Sequence, residues 1–239
     1  MKNLIQSESA VSESISFVLT LGIVILSSAL VYFGGAPILD KSEKTTHFQE
    51  MENSFSYLSE NIDKVGSDRA PIRTTELKIK GGSLTVAHDS MITVGGIPYA
   101  LGSVEYIYEG KTIAYENGGI WTKYPEGAVI MVSKPSFSTG NVTTIPALEL
   151  IGDYLISGEG IMRINAKTLS SSLLSINAVN GNVSVVINSS YYRGWAEYLE
   201  DIGAKDIAID SANTTVSSNI TTEVVNVDSS KIITKILEG

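Results

Sequence analysis

Residues Ser14–Leu39, SISFVLTLGIVILSSALVYFGGAPIL, contain no charged side chain, and the charges that bracket them are Glu13 and Asp40. About 20 apolar residues carry a helix across the hydrocarbon core of a bilayer. From Ile15 to Phe33 the Ile, Val and Leu side chains fall on every face of such a helix. A helix that is apolar all round is surrounded by lipid or by other helices. Residues 14–39 therefore read as a transmembrane helix, and the mostly polar sequence after them as a separate body. Residues 1–13, MKNLIQSESAVSE, form a polar leader. A secretory signal has a basic start, an apolar core of about 7–15 residues and a small-residue cleavage site. A signal peptide cut near Ala36 is the competing reading of the same stretch. Charge does not settle the orientation, because Lys2 on one side faces Lys41 and Lys44 on the other.

Downstream, Phe48, Met51, Phe55, Leu58, Ile62 and Val65 recur at spacings of 3, 4, 3, 4 and 3. That is the a/d seam of an amphipathic helix over 40–66, with Glu, Gln, Asn and Ser on the other faces. Gly66 followed by Pro71 marks its end. Gly34, Gly35 and Pro37 lie between the two helical stretches, and they predict a kink or a short unwound piece. Such a seam covers the body that follows it. It also offers a surface for copies of itself, which makes Phe48, Met51, Phe55 and Leu58 candidate assembly residues.

From Arg73 the period drops to two. TTELKIK, Gly81–Gly82 and SLTVA predict a hairpin. VEYIYEGKTIAYENGGIWTKYPEGAVIMVS continues as a meander with turns at EGK, ENGG and PEG. Pro135 and the stretch SFSTGNVTT break the pattern, which resumes at ALELIGDYLISG, IMRINA, SINAVNGNVSVVIN, DIAID and EVVNVDSSKIITKIL. Short β-branched or aromatic strands with turns every 8–12 residues or so predict a sandwich or open barrel. One helix is embedded near Tyr191–Ile202, with Trp195, Tyr198 and Leu199 on one face. Those aromatics read as core that docks the helix on a sheet, and a ligand platform is the alternative. The fold class is thus α+β: a long N-terminal helix, then a mainly antiparallel β-sandwich-like domain over 71–239.

The 239 residues include no cysteine, which excludes disulfides and thiolate metal sites. A formal charge of −9 without a basic cluster argues against nucleic acid as a partner. His47 and His88 have no ligand-type spacing and read as ordinary residues. No G-x-S-x-G elbow, H-E-x-x-H, P-loop or calcium-loop pattern occurs. The expectation is a non-catalytic chain without a cofactor or metal. Five N-x-S/T sequons begin at Asn141, Asn182, Asn188, Asn213 and Asn219. If they carry N-glycans, they put the C-terminal domain outside the cell; in a Ser/Thr-rich chain several also arise by chance.

The run AVSESISFVLTLGIVILSSALVYF, behind a polar leader and ahead of an amphipathic helix, resembles the N-terminus of archaeal type IV pilin-like proteins. GSVEYIYEGKTIAYENGGIWTKYPEGAVIMVSKPSF and YYRGWAEYLED are similar to the β-rich ectodomain of a group of uncharacterised archaeal proteins that share that N-terminus. The resemblance implies that a prepilin-type peptidase removes the leader near Ser9–Ala10 or Ala10–Val11, on the cytoplasmic side. Glu8 and Ser9 stand where that family commonly has Lys or Arg and Gly. Glu13 lies near the place where bacterial pilins keep a glutamate that faces a neighbour's new N-terminus, which makes it a candidate assembly residue; a plain interfacial charge is the alternative reading. Two functions follow as expectations. One is a minor pilin or filament-associated subunit, anchored in the cell membrane with its body outside or in an extracellular filament, and associating with itself or other pilin-like subunits. The other is an unpolymerised envelope protein of the archaellum-stator type, or one whose β domain binds a surface layer or a sugar.

Overall fold

The computed structural model describes residues 2–67, 70–152 and 154–238, with side chains from residue 14 onward. The chain divides into two compact units, Met1–Gln49 and Glu50–Gly239. Helix α1 (Lys2–Gly66) supplies the first unit and opens the second. It passes through Gly34, Gly35 and Pro37 without the unwound piece that these residues suggest in the sequence. Proline removes one backbone hydrogen bond and its ring crowds the carbonyl of Phe33, a local cost that the helical sequence on both sides outweighs.

Among the described residues the body holds thirteen strands and one further helix. In chain order these are β1 (Ile72–Ala87), β2 (Met91–Val94), β3 (Ile97–Ala100), β4 (Ser103–Tyr108), β5 (Lys111–Glu116), β6 (Gly119–Lys123) and β7 (Val129–Ser133). After them come β8 (Val142–Ile151), β9 (Leu155–Asn177), β10 (Asn182–Asn188), α2 (Tyr192–Asp201), β11 (Lys205–Asp210), β12 (Thr215–Thr221) and β13 (Val224–Glu238). One sheet has eight strands in the order β7-β6-β5-β4-β1-β9-β13-β8, and the other has five in the order β11-β12-β10-β2-β3. Every pairing is antiparallel except β8 with β13.

The predicted meander is present as β4 to β7. Its turns are set by residues that tolerate positive φ: Glu109 and Gly110 (49° and 78°), then Asn117 and Gly118 (47° and 84°). The hairpin expected at Gly81–Gly82 is absent. β1 runs straight through both glycines, and each half pairs with β9 on the same side, with a register shift between Lys80 and Ser83. The two glycines (φ 91° and 76°) form a bulge, because the segments beside them are held by one long partner strand. A Cβ on Gly82 would also strike the Ile107 carbonyl oxygen.

The eight-stranded sheet is covered on both faces. On one, the last part of α1 lays down Met51, Phe55, Leu58, Ile62 and Val65, each at most 1% exposed. On the other, the five-stranded sheet and α2 enclose a core that includes Val94, Ala114, Trp121, Ala147, Val185, Trp195, Val216 and Val227. Neighbouring residues of β5 serve both layers: Tyr115 bonds to α1, and Ala114 belongs to the inter-sheet core.

Trp121 is the pivot of that core. Its ring lies 5.1 Å from the ring of Trp195, and Phe137 and Tyr198 complete the cluster with an edge-to-face pair at 5.3 Å. A Cβ built on Gly194 would lie 2.6 Å from Trp121, and one on Gly119 would also lie 2.6 Å from it. The two glycines give α2 and β6 room to close on the indole. Gly194→Ala therefore forces Trp121 or α2 to move, and it is expected to cost about 1–3 kcal/mol. Urea unfolding of the full chain in detergent micelles, followed by tryptophan fluorescence, measures this.

Candidate functional site

Two constellations of polar side chains stand out, both in the body. The first fastens the end of α1 to the eight-stranded sheet. Thr122 donates to Glu52 at 2.8 Å, Asn61 to Thr75 at 3.0 Å, Tyr115 to Asp63 at 2.9 Å and Ser59 to the Gly118 carbonyl at 3.3 Å. The last helical carbonyls, which have no partner within a helix, are taken by hydroxyls: Thr168 donates to Val65 O at 2.7 Å and Ser230 to Gly66 O at 2.6 Å. Burial raises the pKa of Asp63, while the Tyr115 hydroxyl works against that rise. A cleft of about 490 Å³ opens beside this helix end, lined by Glu60, Asp63, Lys64, Ser67, Ser136 and Asp228 among others.

The second constellation is at the start of α2. Glu116 is 1% exposed and accepts hydrogen bonds from Trp195 Nε1 at 2.7 Å and Ser189 Oγ at 3.0 Å. The Ser189 hydroxyl in turn accepts from the Tyr191 backbone N–H at 2.9 Å. One strand away, Glu105 accepts from Tyr191 at 2.7 Å and from Ser103 at 2.9 Å. The β4–β5 register pairs Ser103 with Glu116 and Glu105 with Ala114, so the two carboxyls are diagonal neighbours on one face. Desolvation pushes the Glu116 carboxyl up to about 7, the bonds from Trp195 and Ser189 limit the rise, and the Glu105 charge adds to it. Glu105 and Tyr191 line an open notch of about 300 Å³ with Asp89, Lys123 and Tyr124; Glu116 does not line it. Chemically, Glu116 is a buried carboxyl that clasps α2. Glu105 is the carboxylate within reach of a ligand.

The residues singled out in the sequence fall into distinct places. Met51, Phe55 and Leu58 are core side chains of the body, and Phe48 is also buried, at 7% exposure. The β domain thus packs Met51, Phe55 and Leu58 into its own core, the covering role that the seam also allowed. Trp195, Tyr198 and Leu199 are at most 2% exposed, so the aromatic face of α2 is core and not a ligand platform. Ser9, Ala10, Val11 and Glu13 lie outside the described side chains.

Of the sequons, Asn141 is exposed in a bend just before β8. Asn182, Asn188 and Asn219 lie on β10 and β12, on the side away from the buried Val183, Val185, Val216 and Ile220. Asn188 donates to Asn213 O and Thr215, Asn213 to Asp210, and Asn219 to Asp206. His47 is buried, and His88 Nδ1 lies 3.0 Å from Leu150 O. Among the described residues, no group of three or more His, Cys, Asp or Glu side chains is placed to hold a metal ion.

Sequence reasoning missed Glu116. Its strand is buried on both faces, so alternation gave no inward side on which a charge would look out of place. The pairing of Ala114 with Trp121 would have marked that face as inter-sheet core.

The raised carboxyl fixes a sign for stability against pH. The folded chain holds the Glu116 proton more tightly than the unfolded chain, whose carboxyl has its ordinary value of 4.5. The contribution is complete below pH 4.5, falls as pH rises, and is gone above about 7. It amounts to about 3 kcal/mol. Asp63, also raised, acts in the same direction. Thermal unfolding between pH 4.5 and 8 is expected to show Glu116→Gln with a flatter profile than the wild type, the two agreeing best at the acid end, where both side chains are neutral in the folded chain, and differing most above pH 7, where only the wild type buries a charge.

No curated protein and no solved structure matches the chain. Residues 10–233 match a family of unknown function, DUF7289, and the chain belongs to that family.

Proposed function

We propose that the protein is a non-catalytic, membrane-anchored surface protein: a pilin-like subunit, minor or filament-associated, of an archaeal type IV pilus-type system. The observation that carries this reading is the split use of α1. Its stripe from Met51 to Val65 is spent inside the body. Between Ile15 and Leu39 the large apolar side chains are exposed on every face, among them Phe17 at 69%, Leu30 at 75% and Phe33 at 77%. This helix is long and apolar enough to cross a membrane. Exposed apolar surface of that extent in water is a strong liability, so lipid or the helices of other subunits must cover it. A body outside the cell agrees with sequons on the surface of the β domain, where a sugar chain meets no core packing.

The runner-up is an anchored envelope protein that never polymerises. It is favoured by the burial of Met51, Phe55 and Leu58, since the body takes the seam that assembly would have used. Removal of the leader separates the two readings. Mass spectrometry of the N-terminus, on protein from native membranes, is expected to find a mature chain that begins at Ala10 or Val11. A mature chain that still begins at Met1 would sink the filament reading and leave the anchored one.

A second expectation concerns the division within α1. Phe55→Ala is expected to lower the stability of the body by about 3–5 kcal/mol. Phe17→Ala leaves it unchanged and acts on membrane retention only. Urea unfolding in micelles and carbonate extraction of membranes read the two effects separately.

A further inference from the structure

We propose that residues Ser172–Asn177 of β9 form a docking edge for the same strand of a second copy of this chain. The inference concerns the body and is independent of how α1 is used.

β9 has two different halves. From Leu155 to Lys167 it lies between β1 and β13. β1 begins at Ile72, opposite Lys167, and beyond that point β9 keeps β13 on one side. From Ser172 to Asn177 no other strand pairs with it among the described residues. In an antiparallel ladder alternate residues turn their N–H and C=O to opposite sides, so half the backbone groups of this run face outward. The side chains beside them are apolar and exposed: Leu173 at 66% and Leu174 at 43%.

Native sheets blunt their free edges with proline, charge, bulges, short strands or cover. The other edges of this body follow that rule. β3 has four residues and contains Pro98. β11 carries Lys205, Asp206 and Asp210 and has an irregular register. β7 is short and runs into Lys134–Pro135. β8 is closed by side chains: Asn117 donates to Pro146 O and accepts from Leu148 N, both at 2.9 Å, and Ser138 pairs with Thr144. The run SLLSIN carries none of these devices.

The occupant follows from charge. At −9, two copies repel each other over most of their surfaces. Residues 168–192 contain no charged residue at all. An antiparallel edge meets its own copy about a two-fold axis, and here that meeting sets no like charges opposite each other. Among the described residues β1 is also open from Ile72 to Lys80 on the side away from β9, and that edge carries Arg73, Glu76, Lys78 and Lys80. The product is a closed pair, joined through one continuous sheet.

The absence of native cysteine makes the test direct. Ser172→Cys, Leu173→Cys, Leu174→Cys and Ser175→Cys are introduced singly into the full chain, which is oxidised in native membranes and in dilute detergent. Cross-strand Cα atoms stand about 4.5–5.5 Å apart, within disulfide range, so the residue nearest the axis links to its own copy. The expected result is a disulfide-linked dimer at one or two of these positions and none at Tyr57→Cys, an exposed site on α1. Leu174→Lys, placed in the cross-linking variant, is expected to abolish the dimer with an unchanged circular dichroism spectrum. The proposal is overturned if none of the four positions cross-links, if Tyr57→Cys links equally well, if the link survives Leu174→Lys, or if the linked product contains another polypeptide.

Discussion

Burial of the stripe Met51–Val65 against the eight-stranded sheet is the contact on which the rest of the body depends. A sheet covered on one face tolerates polar residues on the other, but this one has α1 on one side and the five-stranded sheet with α2 on the other. Its central strands must therefore be apolar in both directions. That explains the solid run of buried residues from Ile113 to Thr122. Several polar groups on these strands are tied to the covering elements: Tyr115 to Asp63, Thr122 to Glu52, Glu116 to Trp195, while the Trp121 indole N–H is buried without a hydrogen-bond partner. A buried polar group without a partner costs more than its bond returns, and Tyr115, Glu116 and Thr122 meet that cost by fixing a covering element.

The two covering layers are fixed by different means. On the α1 side, the helix is long, its apolar stripe does the packing, and polar groups hold its register and close its end. On the α2 side, the helix has ten residues and the docking rests on ring packing around Trp121, with Glu116 as the polar anchor. A short helix with few side chains to bury needs close approach, which Gly194 permits.

Much of this was legible in the sequence. The switch from a 3.5 to a 2 residue period located the boundary near residue 70, and the pairs Glu109–Gly110 and Asn117–Gly118 located the meander turns. Trp195, Tyr198 and Leu199 identified α2 and its buried face. The failures have physical causes. Gly81–Gly82 has the local chemistry of a turn, and only the long partner strand β9 turns it into a bulge. β9 itself reads as separate pieces, because Gly158, Gly160 and the Ser170–Ser172 run interrupt the alternation. The a/d seam of α1 was legible as a seam but silent about its partner, since a sheet and a second helix ask for the same apolar stripe. Glu116 was hidden because its strand has no solvent face.

The position of β13 carries a consequence in time. This strand comes last in the order of elements, yet it lies inside the eight-stranded sheet, between β9 and β8. Ser230 and Ile232 on it close the end of α1. A ribosome makes α1 first and β13 last, so the helix must wait through more than 150 residues of synthesis before its end is covered. Structures dominated by such distant pairings fold slowly and expose apolar surface while they wait. On the membrane-anchored reading proposed above, a first helix already held in a bilayer tethers the nascent chain while the sheet is assembled.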